Sequence, residues 1–551
     1  MDVAALMAGC GGAPSGGRNC RIPSNDANVS ATWRQEQPGR QAEVIAGPWV
    51  VCYCLGVAYS CKSGNRDQLF LLPPSMNDWL DEDHLAWFVI DVVRIIDTSK
   101  FHDAHPEGPG RPAFDPEMLL GLLLYAYCTG VRSSRAIMAA CRSDLAYKVT
   151  AVELVPDHRT IARFRAENEE AIKTVVVEVL KICHAAGMAS LGRVAIDGTK
   201  IGSDAALDKN RDGAWIRAEI DKIVGEAAAV DQVEDTTGQL FDTPLPEPLR
   251  GRGGRLGRLR AALREVEAQE KAARDHQAEL RRHAMSEAAA GRKLRGRKPT
   301  DAHAALIRAE ADLEATKAKA GADPSAKTTA QIEAAQAELD EAARAAEAAP
   351  APKFSANVTD PDSRIMATKD GWVQGYNVQA SVNANQVVIA HSATQDHNDV
   401  DQLSVMMDAT RTTAHAAGIS EEIGLALADA GYWSEQNAAH PGPERLIATS
   451  KDWKQRKAAR ELGETTGPPD PDASPIEQME HRLRTPDGAA AYATRSHTVE
   501  PVSGDIKENR GFRRFMRRGC DAADSEAGLI FAAHNLLKVF HHQPTVLASL
   551  A

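Results

Sequence analysis

Two short stretches of the chain carry an apolar run into a single acid. "GRVAIDGTKIGSDA" leads Val194-Ala195-Ile196 into Asp197, and "GLALADAGYWSEQN" leads Leu425–Ala428 into Asp429. A lone Asp in such a place most often caps a turn or a helix. Two of them, each ending a strand-like run, also make part of a cage for divalent cations. A third acid on a nearby helix would complete it. Glu500 is best placed, because it lies in the helix-competent run "YATRSHTVEPVSGDIKENRGFRRFMRRG", which continues into basic residues. Composition by itself does not choose it over Glu508 or Asp505. The chemistry would be phosphodiester cleavage, where charge develops on both the attacking and the leaving oxygen. Two metal ions about 3.5–4 Å apart stabilise both and lower the pKa of the attacking water. Mg²⁺ takes oxygen ligands and keeps several waters, so three carboxylates suffice for two ions, with Mn²⁺ able to stand in their place.

These acids need elements to position them. From Arg66 to about Met188 the chain reads as helices. "LDEDHLAWFVIDVVRIID" has an acidic start and apolar residues at helical spacing. "DPEMLLGLLLYAYCTG" opens with Asp115 as N-cap and Pro116 at the first helical position, and stops at Gly130. Pro156-Asp157 caps the last helix, "PDHRTIARFRAENEEAIKTVVVEVLKICHAAGM". Its first turns show His158, Arg159, Arg163 and Arg165, cations that suit phosphates or form a solvated face. Short helices and tight turns suggest a helix-turn-helix-like bundle.

Residues 207–350 change character and are dominated by Ala, Glu, Arg, Lys and Gln. Leu256, Leu259, Leu263 and Val266 follow a spacing of amphipathic helices or a short coiled coil. The basic knot "GRKLRGRKP" is either a solvated face or a phosphate contact. Residues 371–393 read as two strands joined near Asn383-Ala384-Asn385, with Tyr376, Val378, Ala380 and Val382 alternating with polar residues. A helix over Asp399–Gly418 follows, then the strand into Asp429, a short helix from Ser434, and a strand at "RLIATS". A Pro-rich polar stretch covers about 464–476. Helix returns through the arginine-dense segment and "AGLIFAAHNLLKVF". Asp360 and Asp362 read as a turn before a strand. Asp396, His397 and Asp399 read as an N-cap for the following helix rather than a metal cluster.

The order predicts an α/β (α+β) chain. A ribonuclease-H-like mixed sheet is interrupted by a long helical insertion and preceded by an all-α, helix-turn-helix-like domain. The boundaries fall at 63–190 for the helical DNA-binding domain, 191–206 with 351–540 for the catalytic domain, and 207–350 for the charged, coiled-coil-like insertion. Residues 1–62 carry no amphipathic period and read as poorly ordered or as an extension from a mis-set start.

The bulk numbers agree with this division. A chain of 551 residues allows two to four domains. Its 43% hydrophobic and 25% charged residues are an ordinary globular profile. A net charge of −12 does not advertise nucleic acid, but local basic patches decide that question. The nine cysteines show no paired C-x-x-C and no regular framework, which points to a reducing cytoplasm without a zinc site. No apolar run reaches about 18 residues, so no membrane span is expected.

The pattern Tyr492-x2-Arg495-x4-Glu500-x6-Lys507 resembles the YREK signature of bacterial insertion-sequence DDE transposases, with four residues where the family has three between Arg and Glu. "RDQLFLLPPSMNDWL", "VAIDGTKI", "TDPDSRIM" with "DGWVQGYNVQA", and "ADAGYW" resemble the same family, so the likeness runs over roughly 66–540. It implies Asp197, Asp429 and Glu500 as the metal-binding, catalytic triad. Lys507 and Tyr492 would hold phosphates of the transferred end, with Arg495 beside them. Arg510, Arg513 and Arg514, continued by Arg517 and Arg518, would extend that surface or form a solvated face. The family further implies binding of terminal inverted repeats in double-stranded DNA, cleavage at each end, and attack of the freed 3′-hydroxyl on target DNA. A homodimer would hold two ends together, in the bacterial cytoplasm at the nucleoid. Two rivals remain open: a two-metal nuclease that cuts without joining, and an inactive, element-derived DNA-binding protein.

Overall fold

The computed structural model describes residues 49–54, 57–62, 75–103, 113–237, 252–294, 296–321 and 326–550. The chain divides into two compact units, residues 1–72 and 73–551. In the first, β1 (Trp49–Cys54) and β2 (Val57–Lys62) pair as an antiparallel hairpin. The sequence suggested no regular structure there, but this run is rich in Val and Tyr, which favour strands. The reading of residues 1–48 lies outside the described residues.

The second unit begins with helices α1 (Leu85–Ile95), α2 (Ser99–Asp103), α3 (Pro116–Cys128), α4 (Ser134–Ser143) and α5 (Leu145–Thr150). Two more follow, α6 (His158–Glu167) and α7 (Glu169–Ala185). Asp115 caps α3 by accepting from Glu117 N at 3.1 Å, ahead of Pro116, as the sequence foretells. Helix α3 is buried on every side from Met118 to Cys128, which suits a central helix. The helix expected to run unbroken from Pro156 breaks at Asn168, whose side chain donates to Phe164 O at 2.9 Å. That bond satisfies a carbonyl at the end of α6 and lets α7 start in a new direction.

Strand β3 (Arg193–Gly202) enters the sheet next. A small antiparallel ribbon, β4 (Asn210–Asp212) with β5 (Ser355–Asn357), flanks the insertion of α8 (Gly213–Thr237), α9 (Arg252–Ala289), α10 (Ala302–Ala320) and α11 (Ala326–Ala348). Leu259 and Val266 are buried with Ile216, Ile223 and Ala262, and Leu256 and Leu263 pack at the margin. The expected leucine stripe thus forms the α8–α9 seam. A second, thinner core of Ala284, Ala288, Ala311 and Ala315 joins α9 to α10. Small residues let those two helices approach closely.

After the insertion come β6 (Arg364–Thr368), β7 (Gly371–Asn383), β8 (Val388–Thr394), α12 (Gln402–Ala416), β9 (Leu425–Ala428), α13 (Glu435–Ala439) and β10 (Glu444–Ile447). The sheet order is β10-β9-β3-β7-β6, with β8 also on β7. Strands β10, β9 and β3 are parallel, whereas β7 is antiparallel to β3, β6 and β8. The polar residues that alternate along β7 do not face solvent. Instead Gln374, Asn377, Gln379 and Ser381 are buried as fully as Tyr376 and Val378, because β7 is a central strand covered on both sides.

Helices α14 (Asp452–Leu462), α15 (Pro475–Arg484), α16 (Pro486–Ala493), α17 (Arg495–Gly504), α18 (Cys520–His542) and the short α19 (Leu547–Leu550) complete the unit. Helix α18 packs against α3, α7 and β8. The arginine-dense segment does not continue as helix. It ends in a π-helical turn over Asp505–Asn509 and then runs as an extended strap. Gly202 N donates to Arg513 O at 3.0 Å and Phe515 N to Gly202 O at 2.7 Å, tying the strap to the end of β3. Phe512 and Phe515 are fully buried, and burying two rings outweighs continuing an exposed helix.

Candidate active site

Strand register brings the first two acids together. Strand β3 pairs in parallel with β9 through Ile196↔Ala428, and there β9 turns away. Asp197 and Asp429 are the next residues on each chain, so they face one another at neighbouring strand spacing. The sequence reading ended the first strand at Asp197. The structure carries β3 on to Gly202, because β7 continues to pair with it from Asp197↔Ala380 to Gly202↔Gly375. Asp197 is therefore held in mid-strand on one side and open on the other. Asp429 also caps a short turn, accepting from Gly431 N at 2.8 Å, as the capping reading of such an Asp expects.

Glu500 reaches the same place from α17. All three acids meet at one guanidinium. Arg495 Nη2 lies 3.1 Å from Asp197 Oδ1 and 3.8 Å from Asp429 Oδ2, and Nη1 lies 3.8 Å from Glu500 Oε1. The Arg495 side chain is 7% exposed, against 22%, 39% and 55% for Asp197, Asp429 and Glu500. The cation is thus the innermost group and the acids open outward from it. The expectation that Arg495 faces a phosphate meets a different placement: it faces the acids.

Burial pushes the Asp197 carboxyl up to about 6, with Asp429 and Asp399 adding to the shift while Arg495 and the Gly198 N–H oppose it. Asp399 is a fourth acid beside the three. It does not cap α12, whose N-cap is Asp401. Instead its Oδ1 accepts from Asn377 Nδ2 at 2.7 Å and Gln379 Nε2 at 2.8 Å, with Lys200 Nζ at 3.5 Å. Gln379 in turn accepts from the buried Tyr432 hydroxyl through Oε1. A methyl group at Gly198 would stand 2.4 Å from Gln379 Nε2 and 2.5 Å from Asp399 Oδ1, so it would push apart the amide and carboxylate that bond there. Sequence reasoning set Asp399 down as a helix cap and passed over Lys200 and Gly198. The available signal was the pair of amides, Asn377 and Gln379, at alternate positions of a buried strand, which must find partners.

Lys507 arrives through the π-helical turn. Its Nζ donates to Lys200 O at 2.9 Å, and burial, then Arg513, lowers its pKa. Pro501 lies inside α17 and has no N–H to give to the carbonyl of His497. Gln386 Nε2 donates to that carbonyl instead, at 2.8 Å. Asp505 anchors the π turn: it faces His534 Nδ1 and Arg510 Nε, each at 3.2 Å. The His534 contact, helped by Arg510 and Asn509 against the cost of burial, holds the Asp505 carboxyl down at about 2. A depressed acid stabilises the fold above its ordinary range and loses that contribution as pH falls from about 4 to about 2. Asp505→Asn is expected to flatten this acid limb, by at most about 2 kcal/mol given its partial exposure. Urea midpoints near pH 2.5 and pH 6 check it, and an unchanged acid limb refutes it.

The remaining basic residues divide. Arg510 turns inward, 7% exposed, over the Phe512 ring at 5.1 Å. Arg513 pairs with Glu508, and Arg514 pairs with Asp204 at 2.9 Å, both in exposed positions. Tyr492 is half-buried and lines a cavity with Arg495 and Glu500. On α6, Arg159 and Arg163 are exposed and His158 is half-buried beside Asp157. Arg165, which the sequence placed on the same basic face, is buried and donates to Tyr127 Oη, Arg132 O and Ser134 Oγ.

Among the described residues, no group of three His, Cys, Asp or Glu stands close enough to hold a metal ion as placed. The donor set still suits a hard cation: it is all carboxylate oxygen, and a guanidinium already lies within 4 Å of three of its members.

Two family models match parts of the chain. The transposase domain DUF772 matches residues 74–167, the helices α1 to α6. The transposase DDE domain matches residues 470–540, which include Glu500 and Lys507. Together these matches support an insertion-sequence DDE transposase, a family that typically uses divalent metals on DNA. No curated protein and no solved structure matches the chain. Asp197 and Asp429 lie outside both matched segments and rest on the geometry above. Among the described residues, no helix is long and apolar enough to cross a membrane.

Proposed function

We propose that this chain binds the terminal inverted repeats of an insertion sequence and catalyses metal-dependent DNA cleavage and strand transfer. The observation that carries the reading is the meeting of Asp197, Asp429 and Glu500 at one point from two strands and a helix. The sheet order, with parallel β10, β9 and β3 beside antiparallel β7, supports a ribonuclease-H-like catalytic domain. The three acids would hold two Mg²⁺ or Mn²⁺ ions. When bound, such ions supply charge for the attacking and leaving oxygens and a water of lowered pKa.

The chain's own residues do the rest. Asp399, fixed by Asn377 and Gln379, holds Lys200 beside the acids. Lys200 and Lys507 bring two ammonium groups near the acids, a charge suited to a DNA phosphate, and Tyr492 would meet another from the wall it shares with Arg495 and Glu500. Arg513 and Arg514 extend this basic edge. The helices α1 to α7 form the helix-turn-helix-like repeat-binding domain, with Arg159 and Arg163 as its exposed cations and His158 at the same helix start. A homodimer at the nucleoid would hold two ends together.

The test is cleavage of end-labelled DNA taken from the flanks of the gene, with Mg²⁺, by wild type and Asp429→Ala. Wild type is expected to nick at a defined boundary and to join the freed end to target DNA. Asp429→Ala is expected to bind the same DNA without cutting it. Cutting without joining would replace this reading with a nuclease, and binding without cutting by wild type would leave an inactive DNA-binding protein.

A further inference from the structure

We infer that Arg495 is an internal stand-in for the divalent cations, releasing the three carboxylates when a DNA phosphate takes its guanidinium. The inference rests on the transposase reading of Asp197, Asp429 and Glu500. One guanidinium faces all three acids, and it lies deeper than any of them. Its hold is uneven. The contact with Asp197 is 3.1 Å, within hydrogen-bond range, while those with Asp429 and Glu500 are 3.8 Å ion pairs. A positive group in this position repels any divalent ion that approaches the same oxygens, and low local dielectric strengthens that repulsion.

The guanidinium also has somewhere to go. Arg495 lines a cavity of about 290 Å³ together with Arg456, Tyr492, Ser496, His497 and Glu500. That wall carries hydroxyl and cationic groups, the chemistry that receives a phosphate. Arg495 is the first residue of α17, so its side chain can swing into the cavity without moving the helix that carries Glu500. DNA and metal would then bind cooperatively: the phosphate draws off the arginine and the metal fills the acids it leaves. Reciprocity requires that each ligand tighten the other by the same factor. Arg495 is in this sense a positioning residue, acting through the acids.

The experiment is Mn²⁺ binding by titration calorimetry, with and without a duplex of the gene's flanking DNA, for wild type, Arg495→Gln and Asp429→Ala. Without DNA, Arg495→Gln is expected to bind Mn²⁺ about tenfold or more tightly than wild type. Its metal-free melting temperature should fall, because three carboxylates lose their shared counter-charge. DNA should tighten Mn²⁺ binding to wild type by a similar factor and leave that of Arg495→Gln unchanged. Equal or weaker Mn²⁺ binding by Arg495→Gln overturns the inference. Arg495→Lys serves if the glutamine variant does not fold. A single ammonium cannot span three acids, so Mn²⁺ should again bind more tightly than to wild type, and wild-type affinity overturns the idea. Asp429→Ala separates the two levels. If it leaves Mn²⁺ binding intact, the metal-site reading fails and this inference fails with it. If it weakens binding while Arg495→Gln brings no gain, the inference alone fails.

Discussion

Asp197→Asn is expected to abolish DNA cleavage, on the order of a thousandfold or more, and yet to stabilise the metal-free protein. Loss of activity follows from replacing a charged oxygen donor at the point where the acids meet. The gain in stability follows from the position of the carboxyl. Burial, Asp429 and Asp399 together raise it from 3.8 to about 6, despite Arg495. A folded-state value above the unfolded one means that the native chain holds the proton longer. Stability is then fully present below about pH 4 and falls as pH rises through about 6. Above that, the ionised group costs up to about 3 kcal/mol relative to its protonated form. Asparagine keeps the shape, and its Oδ1 can still accept from Gly198 N as Asp197 does at 3.0 Å. It removes the repulsion from the neighbouring acids. Thermal melting at pH 8 with a chelator should show a higher midpoint for Asp197→Asn than for wild type, and the two should converge near pH 4. A lower midpoint at pH 8 would mean that the Asp197–Arg495 pair dominates. The trade of stability for function is what an active site built from like charges requires.

Gly375→Ala should cost about 3 kcal/mol or more of stability. Three strands meet at this residue: it pairs with Gly202 of β3 and Arg364 of β6. A methyl group there would stand 2.2 Å from Ile201 O and 3.0 Å from Gly202 Cα. Both are backbone atoms, so no side-chain rotation relieves the clash. Moving β3 instead would break its bonds to the arginine strap at Arg513 and Phe515. It would also shift Lys200, two residues from Gly202, and with it the contact to Lys507. Gly225→Ala is the control. It lies exposed within α8 with nothing inside 4 Å of the added carbon, and it should stabilise that helix by up to about 1 kcal/mol. Urea denaturation of the three proteins compares them directly, and a Gly375→Ala loss no larger than the noise would refute the crossing-point argument.

Much of the architecture was legible in residue order. Asp115-Pro116 announced the start of α3, Pro156-Asp157 the start of α6, and Ser434 the start of α13. The apolar runs before Asp197 and Asp429 announced two strands, and the leucines from Leu256 to Val266 announced the insertion's seam. Caps, turns and hydrophobic period act over a few residues, so the local sequence contains their whole cause. Asp197 and Asp429 were legible as candidates for a similar reason, since an acid following an apolar run is a local signal, whereas Glu500 was singled out by the YREK-like spacing around it.

What depends on neighbours from elsewhere in the chain was not legible. The direction of Arg495 and the inward turn of Arg510 and Arg165 depend on which buried acceptors the fold presents to them. Asp399 looks like a helix cap in the sequence, and it becomes a site acid only because β7 sets Asn377 and Gln379 opposite it. The strap from Arg510 to Gly519 reads as a basic helix until Phe512 and Phe515 find a core to enter. By itself the sequence determined the elements and the set of charged groups. The tertiary structure decided which charges meet, because a side chain's partner is set by strand register and packing across hundreds of residues, which no local pattern encodes.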